Sequence, residues 1–147
     1  LEREDAEEVK ELLNYEDETV GSIMSKEFIS VNLDITVGEI IDILKEMQPD
    51  EEVMYYIYIT DKDDQIQGVV PIRDLIINDS EIKIKEIMDE TVSRVRFDDE
   101  INEVIEIAAK YHLNSVPVID ADEKLIGIVI IHDLIDEFLY PLWKKKN

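Results

Sequence analysis

No cysteine occurs in the chain. Its absence excludes disulfides, thiolate nucleophiles and cysteine-based zinc sites, and fits a cytoplasmic setting. Positive charge is scarce: 15 Lys and Arg face 37 Asp and Glu, for a net charge of −22. Nucleic acid is therefore not an expected partner, because its binding needs a basic patch. Long apolar runs are also missing. The longest, Leu125 to Ile131, falls far short of the roughly 20 residues that cross a bilayer. No signal-peptide pattern is visible, and the chain does not begin with methionine. It is expected to be a piece of something longer. Histidine is limited to 2 positions, and no G-x-S-x-G, Walker-type loop or H-E-x-x-H is present. Ser115, the one nucleophile worth weighing, lies in the apolar stretch NSVPVI. The chain is not expected to be an enzyme.

What is present supports a packed core. Apolar residues make up 45% and charged residues 35% of the 147 positions, which argues against disorder. One phrase is written twice, GVVPIRDLI at 68–76 and GIVIIHDLI at 127–135. Aligning Met24 with Met88 brings Ile23 onto Ile87, Val31 onto Val95, Asp34 onto Asp98 and Glu39 onto Glu103. Further on the register shifts, and Asp61 matches Asp120, Gly68 matches Gly127 and Asp74 matches Asp133. The extra residues of the first copy fall around MQPDEE, where a loop is expected.

Each copy predicts the order β-α-β-β-α. FISV and SRVR are short extended stretches. Val37, Ile40, Ile41, Leu44 and Met47 share one helical face, as do Ile101, Val104, Ile105 and Ala108. Thr36 and Glu39 have capping-box spacing, and Asp98 or Asp99 is expected to cap the second helix. YYIYIT and QGVV then flank a polar turn, as do SVPVID and IGIVII, and a short helix closes each unit. The expected fold is α/β, with two such units packed through their sheets about a pseudo-two-fold axis. The boundaries read as a tail at 1–19, units at 20–79 and 80–138, and a C-terminal tail at 139–147.

The repeat resembles a tandem cystathionine-β-synthase (CBS) domain pair, or Bateman module. The resemblance rests on Ile23-Met24 and Ile87-Met88, on VPVID at 116–120, and on the two glycine-to-aspartate phrases. A narrower likeness is to the cytoplasmic CBS region of MgtE-type magnesium transporters. It is carried by Leu12, Leu13, Tyr15, Asp17, Thr19, Gly21 and Met24, and by YYIYITD and AAKYHLNSVPVID. That resemblance implies a regulatory, ligand-sensing module at the cytoplasmic face of a membrane, joined to a transporter domain of the same full-length chain; the alternative is a stand-alone CBS pair that binds adenosine nucleotides and regulates a partner protein. It also implies a homodimer, since such modules commonly pair into discs.

Two ligand classes follow from it. In magnesium-sensing relatives, acidic positions of the second unit and its exit meet the ion at domain interfaces. The matching positions are Asp89, Asp98, Glu100 and Asp120, and Mg2+ is a ligand of hard oxygen donors. In nucleotide-binding CBS pairs the aspartate of the repeated phrase takes the ribose hydroxyls. Asp74 and Asp133 hold that place, with Arg73 and His132 beside them to attract phosphate. The hydroxyl positions of those relatives hold Pro71 and Ile130, which donate nothing, so an adenosine nucleotide is expected to bind weakly. A solvated acidic surface, and aspartates that serve only helix starts, remain the plain alternatives. Asp61, Asp63 and Asp64 read as ordinary turn residues.

Overall fold

A computed structural model describes residues 18–146. The expected N-terminal tail, with Leu12, Leu13, Tyr15 and Asp17, lies outside the described residues up to Asp17. A short helix α1 (Val20–Ile23) leads in. The first unit follows as β1 (Ile29–Val31), α2 (Val37–Met47), a 3₁₀ turn (Glu51–Met54), β2 (Tyr56–Thr60), β3 (Ile66–Pro71) and α3 (Ile72–Ile77). After a second 3₁₀ turn (Ile84–Glu86) come β4 (Val95–Arg96), α4 (Ile101–Tyr111), β5 (Ser115–Ile119), β6 (Leu125–Ile130) and α5 (Ile131–Leu134). The last helix runs through a π-helical turn (Ile135–Leu139) into α6 (Tyr140–Lys146).

The predicted order of elements holds in both units. Each sheet has three strands, in the orders β1-β2-β3 and β4-β5-β6. The first pair in each is parallel and the second antiparallel. A parallel pair needs a long crossover, and α2 and α4 provide it. The antiparallel pair needs only a turn. Asp61 Oδ1 closes the first turn by accepting from the N–H groups of Asp63 (2.8 Å) and Gln65 (3.0 Å). Asp120 Oδ1 closes the second in the same way, from Asp122 (2.9 Å) and Lys124 (3.0 Å). Left-handed Asp64 and Glu123 complete the two turns.

Helix α2 starts with the expected capping box. Thr36 Oγ1 accepts from the Glu39 N–H, and Glu39 Oε1 accepts from the Thr36 N–H, each at 3.2 Å. The cap expected for α4 is different. Glu100 occupies that place and makes no side-chain cap bond. Asp98 and Asp99 turn back instead: Asp99 Oδ2 accepts from the Arg96 N–H at 2.8 Å, and Asp98 Oδ1 meets Arg96 Nε at 3.2 Å. Val37, Ile40 and Leu44 bury their face as expected, whereas Met47 is exposed at the helix end. Pro71 ends β3 and stands one residue before α3.

The entry segments are exchanged between the units. Val20 is fully buried in the core of the second unit, among Val95, Ile101, Val104, Val116 and Leu134. Ile84, its counterpart, is fully buried in the core of the first, among Val37, Ile40, Ile57 and Leu75. Backbone bonds fix the exchange. Ser25 pairs with Ile128, and Asp89 with Val69. This arrangement explains both hallmarks of the repeat. A Cβ added at Gly68 would lie 2.5 Å from Met88 Sδ, and one at Gly127 would lie 2.7 Å from Met24 Sδ. The methionine of each entry phrase thus fills the space left by the glycine of the other copy. A third cluster joins the sheets, with Tyr58 and Ile66 from one unit and Ile119, Leu125, Ile128 and Ile130 from the other.

Candidate functional site

The alternation of β2 sends Tyr56 and Tyr58 to the same face, toward the second unit. There they form one wall of a groove of about 370 Å³. Val69 and Pro71 of β3 stand beside them, Ser115 and Pro117 of β5 and Leu113 stand opposite, and the 89–93 linker closes one side. The Asp89–Val69 backbone pair holds that linker in place, at 2.9 and 3.0 Å. Tyr56 Oη accepts from the Asn114 N–H at 3.3 Å, a bond between units. The Tyr58 hydroxyl is buried against Ser115, and burial raises its pKa well above the ordinary tyrosine value. It stays a neutral O–H at any physiological pH. The groove is therefore a mainly apolar slot with hydroxyls and the Asp89 carboxylate at its edges, a shape suited to a flat ligand.

The expected nucleotide residues lie around this seam but not at one point. Asp74 sits in the first turn of α3, three residues beyond Pro71, with Arg73 Nη1 3.6 Å from its Oδ1. Asp133, in the first turn of α5, borders a hollow of only about 20 Å³ with Ser25 and Glu137. Neither aspartate caps its helix through a side-chain bond. His132 Nε2 lies 3.2 Å from Asp136 Oδ2. On the same side the first unit's 3₁₀ turn approaches the second unit, where Glu51, Glu52 and Tyr55 border an open hollow of about 390 Å³ with Asn114, Ile131 and His132. Partial burial, then the facing Asp133 carboxylate, raise the Glu52 carboxyl above its ordinary value.

The structure does not gather the four expected metal residues. Asp89 faces the groove and accepts from the Thr91 N–H. Asp98 and Glu100 lie on the seam where Thr19 pairs with Glu100. Asp120 closes its turn, as Asp61 does. Among the described residues no three acidic or histidine side chains stand close enough to hold a metal ion. The groove tyrosines and Glu52 were not singled out from the sequence. The alternation in YYIYIT carries a signal for the first. Nothing local marks the second, because the hollow it borders is shared with the other unit.

Two exchanged β-α-β-β-α units with this seam define a class, and the chain belongs to it. The CBS domain family model matches residues 20–81 and 84–140. Within that class the chain is similar to the magnesium transporter MgtE of Enterococcus faecalis, at 41% identity over 90% of the chain. It is similar to MgtE of Thermus thermophilus at 37% over 88%. The chain spans 29% of the length of each of these relatives. Its fold matches a crystal structure described as the cytosolic domain of the Mg2+ channel MgtE in complex with ATP. That match has a TM-score of 0.78 at 36% identity, over 82% of this chain and 48% of that one. Among the described residues no helix is long and apolar enough to cross a membrane.

Proposed function

We propose that the chain is the cation-sensing regulatory module of an MgtE-type magnesium transporter, at the cytoplasmic face of the membrane. The observation that supports it most is the 41% identity running across both units. The chemistry agrees. A surface carrying −22 resists the approach of another acidic body unless cations intervene. Asp89, Asp98, Glu100 and Asp120 do not meet within the chain, so in this reading Mg2+ binds at junctions with a second body. That body is another copy of the module or the remainder of the full-length transporter. Bound there, the ion stabilises the closed arrangement by about 2.7 kcal/mol at a hundredfold excess over Kd. Melting temperature should rise with Mg2+ and much less with Na+ at matched ionic strength. Asp98→Asn with Glu100→Gln should blunt the magnesium-specific part. Asp120→Asn is a poorer probe, since it also loosens a turn. Equal responses to the two salts overturn this reading.

A second reading is favoured by the 370 Å³ groove and by the ATP named for the similar cytosolic domain. In it, an adenosine nucleotide lies between Tyr56 and Leu113, with its ribose toward Asp74 and its phosphates toward Arg73. Pro71 withholds a hydroxyl, a loss of about 1.5–3 kcal/mol for a bond to a charged group. Affinity is then roughly ten- to a hundredfold below that of a hydroxyl-bearing relative.

A further inference from the structure

The charge of the chain reverses at its last helix. Residues 1–137 hold 12 Lys and Arg against 37 Asp and Glu, a net −25, whereas residues 138–147 hold three lysines and no acid. No two basic residues are adjacent anywhere else in the sequence. Along the helix the nearest acid, Glu137, stands seven residues before Lys144, about 10 Å at 1.5 Å per residue. That exceeds the Debye length of about 8 Å at physiological ionic strength, so the lysines act as a separate positive end. Exposed aromatic surface lies in the same place. Leu142 packs on the core of the second unit and pins α6 to it. Tyr140 and Trp143 stay 50% and 45% exposed, with their rings stacked at 6.2 Å between centroids. Lys144 and Lys145 follow directly, both exposed.

We propose that α6 docks on a membrane surface that carries anionic lipid headgroups. Tyrosine and tryptophan rings are apolar bodies with a polar tip, and they settle at headgroup level. Lysine stems lie along apolar material while their ammonium groups reach the phosphates. An acidic protein surface, that of another copy included, would have to match the rings with an apolar patch of its own. A bilayer offers acid and apolar layers together, at any point. The negative surface also repels the acidic remainder of the module, so the same field that draws α6 in turns the rest away. Each lysine strengthens the partition roughly fivefold, which makes the contact reversible and orienting rather than a permanent anchor. The inference deepens and rests on the reading that places the module at a membrane face, but it is tested separately from the response to cations.

Trp143 is the single tryptophan of the chain, so its fluorescence reports its own site. The unaltered chain is titrated, with a chelator present, against vesicles of phosphatidylcholine alone and of equal parts phosphatidylserine and phosphatidylcholine. The mixed vesicles should shift the emission to the blue, protect it from acrylamide and carry the chain down on sedimentation, and added NaCl should reverse all three. Lys144→Gln with Lys145→Gln should weaken the partition about 25-fold. Tyr140→Ser should weaken it with the reporter intact, and unchanged melting temperatures show that these variants fold. No shift with the mixed vesicles, an equal shift with phosphatidylcholine alone, or indifference to the two lysine substitutions overturns the proposal. A shift that grows with protein concentration in the absence of lipid also overturns it and gives the face to a second copy. Vesicle binding by a chain whose melting does not distinguish Mg2+ from Na+ upholds the docking and refutes only the sensor, and the converse result refutes only the docking.

Discussion

At the residue scale, the two glycines of the repeated phrase are not alike in cost. The three atoms nearest a methyl group at Gly68 all belong to the Met88 side chain, whereas one at Gly127 also meets the Ser25 carbonyl oxygen at 2.8 Å. A thioether chain can shift, but a backbone carbonyl in a bridge cannot do so cheaply. Gly127→Ala should therefore destabilise more than Gly68→Ala, within the roughly 1–3 kcal/mol typical of overpacking. Denaturant unfolding measures both. In a Met88→Ala background the Gly68→Ala cost should shrink, because Sδ and Cγ are gone and only the Cβ remains, at 3.0 Å. Additive effects would show that the glycine serves some other purpose. Glu52 makes a second prediction. Its pKa is raised in the folded chain, so the fold favours its protonated form. That stabilisation is complete below the ordinary carboxyl value and disappears as pH rises through the raised one. Glu52→Gln is neutral at every pH. Its melting temperature should match the parent in acid and exceed it increasingly toward neutrality, and a pH-independent difference would refute the raised value.

At the element scale, helix starts separate what local sequence reveals from what it hides. Thr36→Ala removes a complete capping box and should cost about 1 kcal/mol. Glu100→Ser supplies α4 with the cap it lacks and should stabilise by a similar amount in thermal melts. The capping box was legible because both partners lie within four residues. The start of α4 was misread because two aspartates precede it, and only the structure shows them bonded back to Arg96. The period of the helices, the polar turns and the doubled order of elements were legible for the same local reason. The exchange of Val20 and Ile84 and the groove between Tyr56 and Leu113 were not. Each pairs residues from different units, and one copy of a repeat carries no mark of which copy it packs against. Asp61 and Asp120 close equivalent turns through bonds within four residues, and only the family resemblance set Asp120 apart as a metal position.

At the scale of the whole molecule, the outer helices leave apolar side chains uncovered. Ile76 and Ile77 of α3 are 77% and 62% exposed, and Ile135, just past α5, is also exposed. A second copy is the proposed cover, so sedimentation at tens of micromolar should show a dimer, and Ile76→Glu should shift it toward monomer. Acidity opposes that association, hence added Mg2+ should strengthen it more than added Na+ does. The exchanged entries also set a schedule for synthesis. A ribosome makes Val20 long before the core that receives it, and that core closes only with Leu134. The first unit cannot finish until Ile84 has emerged. Neither half of the pair is therefore a folding unit of its own. A nascent chain halted near residue 80 would present an open sheet awaiting its lid, and neither core can close before nearly all of the pair has been translated.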